Sequence, residues 1–151
     1  MATVKGGDKF EKKLEEIRAK FADSKVLRVG FLENATYPDG TYVAMVAAIQ
    51  NYGAPAAGIP PRPFFSNMVA EKQDGWPRAL ALNLKKTEYD VAKSFARVGE
   101  GIAGQLRKSI KDTNFPPLKP ATIARKGGTK TAAKPLVDSG VMLGSVDYEI
   151  K

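Results

Sequence analysis

The first pattern along this chain is a set of apolar residues at helical spacing near its start. Phe10, Leu14, Ile17 and Phe21 lie three or four residues apart, and charged residues fill most of the positions between them. This spacing places the four side chains on one face of a helix. Asp8 suits the N-cap of that helix, because its carboxylate can accept a hydrogen bond from a backbone N–H of the first turn.

Helical spacing returns further along the chain. The additional helices that it predicts span residues 41–52, begin near residue 63, and run from residue 76 to about residue 112 with a break near residues 86–87. In the first of these, Tyr42, Met45, Val46 and Ile49 form one apolar stripe. Gly53 follows as a C-terminal cap, since glycine adopts the positive φ that ends many helices.

The longest apolar stripe predicts the principal core helix of the fold. It consists of Val91, Phe95, Val98, Ile102, Leu106 and Ile110. Gly99, Gly101 and Gly104 lie in the same segment, although each glycine weakens a helix by roughly 1 kcal/mol relative to alanine. We therefore expect these glycines to let another backbone approach closely.

Two short segments alternate between apolar and polar residues, as strands with one buried face do. Leu27, Val29 and Phe31 alternate within residues 26–32, and a second alternating segment spans residues 146–150. A sheet of two strands is marginal by itself, so it must pack on helices or gain strands from neighbouring subunits. The prediction is a single α+β domain over residues 1–151, with a small antiparallel sheet packed against several helices including one long core helix.

Proline and glycine mark the connections between these elements. The loop over residues 54–63 contains four prolines and must be largely extended. Residues 120–126 are expected to form a short helix, and Asp138 or Ser139 is expected to cap another that ends near Leu143. Between them, residues 125–134 are expected to form a flexible basic loop.

Composition narrows the chemistry that the chain can perform. It has no cysteine and no histidine, so thiolate chemistry, disulfides and the commonest general base and zinc ligand are absent. The carboxylates are scattered, and the segment Gly127-Gly128-Thr129-Lys130-Thr131 lacks the spacing of a phosphate-binding loop. We therefore expect no enzymatic activity, no metal and no cofactor.

The formal net charge of +8 raises the question of nucleic acid. The clearest basic cluster consists of Arg125, Lys126, Lys130 and Lys134, in a segment rich in glycine, threonine and alanine. Two interpretations stay open for this cluster: a solvated or partner-facing loop, and a contact with DNA. The apolar stretches are too short to span a membrane.

Arg62 lies between two prolines that fix the backbone on both sides. Its guanidinium is therefore presented with little conformational entropy to lose, which suits a salt bridge either within the fold or across a subunit boundary. Phe64 and Phe65 follow directly. They are candidates for the core and also for an interface anchor.

Three segments together resemble the neck and tail-completion proteins of long-tailed bacteriophages, of the minor tail protein Z and virion morphogenesis type. They are Asn51-Tyr52-Gly53, Pro60-Pro61-Arg62-Pro63-Phe64, and Leu136-Val137-Asp138-Ser139-Gly140-Val141-Met142-Leu143-Gly144-Ser145. The chain departs from that family in two respects. Asn51 stands where the family commonly has an acidic residue, and the Asp-Ser-Gly segment follows the Arg-Pro-Phe motif, whereas it precedes that motif in many members. The resemblance covers most of the chain from Arg28 onwards.

The resemblance implies a structural virion protein, assembled in the bacterial cytoplasm, that forms a ring at the junction of head and tail. In such a role the chain would bind copies of itself, as a hexamer, and other neck and tail proteins: the tail terminator, the tail tube, and head-completion or portal-side proteins. DNA would pass through the ring. The interface candidates are Tyr52, Arg62, Phe64, Phe65, Arg125, Lys126, Lys130 and Lys134. The alternative is a DNA-binding accessory protein that uses the basic loop.

Overall fold

A computed structural model gives the fold and describes residues 7–23, 25–114, 116–128, 134–137 and 139–151. The strands are β1 (Leu27–Phe31) and β2 (Val146–Ile150). The α-helices are α1 (Gly7–Lys20), α2 (Val43–Tyr52), α3 (Phe64–Lys72), α4 (Trp76–Lys86), α5 (Val91–Asp112), α6 (Pro120–Arg125) and α7 (Val141–Gly144). Short 3-10 turns occur at Pro55–Ala57 and Gln73–Gly75.

The two strands pair antiparallel, with Leu27 opposite Ile150 and Phe31 opposite Val146. Val26 extends the pairing through two backbone hydrogen bonds with Lys151. Both strands pack on α5, which is the long central helix. The predicted α+β fold, with a small antiparallel sheet on helices, is confirmed.

The core forms where α5 meets the sheet, α2 and α3. Ala103, Leu106 and Ile110 of α5 are completely buried, and so are Val43 and Val146. The predicted stripe is correct except at Phe95 and Ile102, which are half-buried.

Ser94 takes a buried position on α5 that the apolar stripe did not include. Its hydroxyl donates to the carbonyl of Asp90 and shares a 2.7 Å hydrogen bond with Thr87. The apolar pattern did not indicate that Ser94 is buried, because serine is polar. Its hydrogen bonds satisfy the hydroxyl and allow it to lie inside the fold.

The glycines of α5 have different environments, and the expectation about them is only partly met. A Cβ at Gly99 would lie 2.8 Å from the ring of Tyr148 and 3.0 Å from Cδ1 of Leu27. Side chains of the sheet, rather than a backbone, make the close approach. At Gly101 and Gly104 the described structure has nothing within 4 Å of an added Cβ, so the expectation is wrong for these two positions.

This difference predicts opposite effects of the same substitution on one helix. Gly99→Ala is expected to lower the free energy of unfolding by about 1–2 kcal/mol, because overpacking against the sheet exceeds the gain in helix propensity. Gly101→Ala is expected to raise it by about 0.5–1 kcal/mol, because the added methyl meets open space. Urea titration of the two variants beside the parent protein measures both values. Equal shifts would show that α5 and the sheet are not in contact at Gly99.

The break between α4 and α5 is made by Glu88 and Tyr89, whose φ angles are 52° and 63°. Asp90 then caps α5, and its side chain accepts a hydrogen bond of 3.0 Å from the backbone N–H of Lys93. This bond, supported by the Lys93 side chain, holds the pKa of Asp90 below its ordinary value. At α7 the N-cap is Gly140, so the cap expected at Ser139 is wrong, and Asp138 lies outside the described residues.

The cap at Asp90 predicts part of the acid sensitivity of the fold. Because the pKa of Asp90 is depressed in the folded state, its stabilisation is complete above the unfolded pKa of about 3.9 and is lost as pH falls through the folded pKa. Asp90→Asn keeps a capping oxygen and removes the titration. The decrease in melting temperature from pH 5 to pH 2 is therefore expected to be smaller in Asp90→Asn than in the parent. Parallel decreases in the two proteins would argue against the cap.

Candidate interaction surfaces

The Asn51-Tyr52-Gly53 motif ends α2 and holds the start of α3. Asn51 is buried, and its Oδ1 accepts hydrogen bonds from the backbone N–H groups of Phe65 (3.0 Å) and Ser66 (3.1 Å). Its Nδ2 donates to Oγ of Ser66 at 2.7 Å. Pro63 occupies the N-cap of α3 and makes no side-chain cap. Asn51 therefore caps α3 from a different helix, a role that local sequence does not indicate because Asn51 lies 14 residues before Phe65.

The proline-rich loop folds back on the end of α2. Ala54 and Ile59 form an isolated antiparallel bridge, and the backbone N–H of Arg62 donates to the carbonyl of Gln50 at 2.7 Å. Gly53 has a φ of 79°, and an added Cβ there would lie only 2.9 Å from the backbone N of Pro61. Both its backbone angle and its surroundings therefore require glycine.

Arg62 lies within the chain, with only 5% of its surface exposed. Its Nε donates to the carbonyl of Pro116 at 3.1 Å, and its Nη1 donates to Oε1 of Gln50 at 3.2 Å. No carboxylate of the described residues forms an ion pair with it. Burial lowers the pKa of Arg62 from its ordinary value, but an arginine remains charged at neutral pH.

A cleft of about 420 Å³ opens beside the Arg62 guanidinium, between α2, α6 and α7. Its charged lining residues are Asp39, Arg62, Arg125 and Lys126. Asp39 accepts a hydrogen bond from the backbone N–H of Thr41, which lowers the pKa of its carboxyl. The described lining thus has more basic than acidic side chains.

The two aromatic candidates separate in the structure. Phe64 is completely buried and makes an edge-to-face contact with Phe31, with ring centroids 6.3 Å apart. Phe65 is half-buried and lines an apolar groove of about 210 Å³ with Trp76 and Ile102, among others. Phe64 is therefore a core residue, and Phe65 borders a surface.

The basic candidates do not all point to solvent. Lys126 donates through Nζ to the carbonyls of Lys134 (3.0 Å) and Val137 (2.7 Å). Lys134 donates to the carbonyl of Lys111 at 3.3 Å. Arg125 is exposed at the end of α6, and Lys130 lies outside the described residues. Lys126 thus connects the end of α6 to residues 134–137, and Lys134 connects those residues to the end of α5.

Three large side chains in the segment around α2 are exposed within an interval of sequence that has no charged residue. No charged residue occurs between Asp39 and Arg62. Within this stretch Tyr42, Met45 and Tyr52 are 59%, 52% and 74% exposed. We call these three residues, with the neighbouring turn Pro55–Ala57, the α2 surface. The turn is exposed as well.

The sequence pattern had grouped Tyr42 and Met45 with the apolar stripe of this helix. The structure instead buries Val43, Ala47 and Asn51 and turns Tyr42 and Met45 outward. Apolar periodicity could not choose between the faces, because a helix without charged residues has no polar side to set the direction. The sequence signal that indicates this exposed face is the long interval without charged residues.

No family model, curated protein or solved structure matches the chain. Within the described residues, no group of three acidic side chains is arranged to hold a metal ion. The helices of that same part of the chain are all too short or too polar to cross a bilayer.

Proposed function

We propose that this protein is a structural virion protein of a tailed bacteriophage, a ring-forming tail-completion or head-tail joining component that works by binding rather than by catalysis. The observation that carries the proposal is the α2 surface, with its three exposed large side chains in an uncharged interval. The head-tail location, the hexameric ring and the neck and tail partners rest on the resemblance of the three motifs.

The chemistry of the α2 surface favours association between proteins. Tyrosine and methionine are enriched in interfaces, whereas lysine and glutamate are depleted. A chain of net charge +8 repels its own copies over most of its surface. A contact between copies is therefore least opposed where charge is absent, as it is on the α2 surface.

The motifs support this function by making the surface rigid. Asn51 and Arg62 fix the α2–α3 connection through buried hydrogen bonds, and Gly53 permits its tight return. Tyr52 lies between Asn51 and Gly53 and points outward. The fixed backbone at Tyr52 loses little entropy when its side chain binds, which favours a specific contact.

The proposal predicts that the protein forms an oligomer and that a single substitution on the α2 surface prevents its formation. Light scattering with size-exclusion chromatography is expected to show a concentration-dependent oligomer, and electron microscopy is expected to show rings. Tyr52→Lys is expected to shift the protein toward monomer without changing its melt at dilution, because the new charge enters the contact while the side chain is exposed. Leu82→Lys is the matched control, since Leu82 is also exposed, at 51%, and lies on α4.

A monomer at all concentrations would contradict the proposal. If that monomer bound duplex DNA with an affinity that falls steeply with salt, the DNA-binding alternative would replace it. Arg125→Ala would then reduce the affinity for DNA, because Arg125 is an exposed, positively charged side chain beside the cleft. Loss of rings in Leu82→Lys as well as Tyr52→Lys would show that charge anywhere on the surface prevents assembly.

A further inference from the structure

Helix α1, together with Phe21 directly after it, presents an apolar face that the described residues leave largely exposed. Phe10, Leu14 and Phe21 are 66%, 48% and 46% exposed, and no residue of α1 is buried. Near its end, Lys20 donates through Nζ to the carbonyl of Glu88 at 2.7 Å. A helix of 14 residues is marginal in water when nothing packs on it. Another surface must therefore pack on this face if its apolar residues are to stabilise the fold or a complex.

We propose that the apolar face of α1 in one copy packs on the α2 surface of a second copy, as a head-to-tail contact. This inference rests on the proposed ring, and it names the contact that would build one. Two different surfaces of the same chain meet in such a contact, so each copy keeps one surface of each kind for the next copy. Contacts of this type produce rings when the rotation closes.

The two faces match in spacing and length. Along α1 and the residue that follows it, Phe10, Leu14, the half-buried Ile17 and Phe21 follow at intervals of four, three and four. The exposed side of α2 has intervals of three, four and three when the half-buried Ile49 is included with its two tyrosines and Met45. At about 1.5 Å per residue both faces are roughly 15 Å long. Alternating steps of three and four are the pattern that packs one helix along another.

Charge favours this pairing over contacts that use the rest of the surface. The charged residues of α1 are nearly balanced: Asp8, Lys9, Glu11, Lys12, Lys13, Glu15, Glu16, Arg18 and Lys20. The α2 surface has none. Placing α1 on α2 therefore brings a helix whose positive and negative charges nearly cancel onto a surface without charged residues, and it leaves the α1 charges at the rim in water.

The size of the contact sets its expected strength. Taking about 150–250 Å² for a completely covered aromatic side chain, the exposed parts of the large side chains on both faces come to roughly 700 Å². A specific interface buries about 1,000 Å² or more in total. The helix pair supplies most of that area, so we expect a weak contact between two copies that ring closure strengthens.

Disulfide trapping tests the contact directly, because the natural chain contains no cysteine. Leu14→Cys and Met45→Cys are made separately, mixed in equal amounts and oxidised. The mixed disulfide is expected to exceed either homodimer by on the order of tenfold, because packing raises the local thiol concentration above that of random collision. Leu82→Cys is the control, since its thiol would be similarly exposed but outside both faces.

The outcomes separate this contact from the proposed function. A preferred Leu14→Cys homodimer would mean that α1 pairs with itself, and it would overturn the proposal. Rings in the micrographs without a preferred mixed disulfide would leave the ring in place and move its interface elsewhere. A preferred mixed disulfide without rings would support the contact and contradict the proposed ring. A sample with neither rings nor a preferred mixed disulfide would overturn both the contact and the proposed function.

Discussion

Replacing Asn51 with alanine is expected to lower the free energy of unfolding by about 2–4 kcal/mol. The substitution removes one side chain that accepts from two backbone N–H groups of α3 and donates to Ser66. Asn51 is buried, so these groups would lose their partners in a place that water reaches poorly. Urea titration, at a concentration where the chain is monomeric, measures the loss.

Asn51→Asp is the matched control for this result. A carboxylate keeps the acceptor for both N–H groups, and a negative charge is favourable at the N-terminus of α3. We expect this variant to retain most of the stability at neutral pH and to lose it in acid, because a carboxylate that accepts these bonds has a depressed folded pKa. Asn51→Ala with parental stability would show that the α2–α3 junction does not depend on this side chain.

Replacing Arg62 with alanine is also expected to lower the free energy of unfolding by about 2–4 kcal/mol. The guanidinium donates to Gln50 and to the carbonyl of Pro116, so it connects α2 with the segment that follows α5. Alanine breaks both bonds and leaves a space in a position that is 5% exposed. Circular dichroism melting of the dilute protein, read beside its size-exclusion profile, measures the effect.

Arg125→Ala makes the same change of charge at an exposed position and is the control for Arg62→Ala. Its effect is expected to stay within about 0.5 kcal/mol, as for most surface substitutions. A normal melt of Arg62→Ala together with loss of the assembled species would contradict the internal role. Arg62 would then belong to a subunit boundary, which is the other interpretation that its sequence context allows.

The Asn51-Tyr52-Gly53 motif and the Arg62 motif after it contain residues with separate tasks. Asn51, Gly53 and Arg62 have their side chains or backbone inside the fold, whereas Tyr52 between them is exposed. Changes at Asn51 and Arg62 are therefore expected to act on folding, and a change at Tyr52 is expected to act on association. The Asn51-Tyr52-Gly53 motif thus combines a rigid support with the side chain that it presents.

Local sequence determined most of the secondary structure. The stripe of α5 and the alternation at Leu27, Val29 and Phe31 predicted a long helix and a strand that the structure contains. Proline and glycine marked the loop after α2, because their backbone angles are restricted or unusually free whatever surrounds them. These features depend on neighbouring residues, so one sequence was enough to find them.

Only the tertiary structure decided which faces are buried and which polar side chains serve the fold. Asn51 reaches residues 65 and 66, and Arg62 reaches residue 116, over separations that no local pattern records. α1 and α2 have similar apolar spacing to α5, yet α1 buries nothing and α2 exposes Tyr42 and Met45. Spacing determines that a helix has an apolar face, but whether that face meets the core, solvent or another chain depends on which elements the whole fold brings next to it.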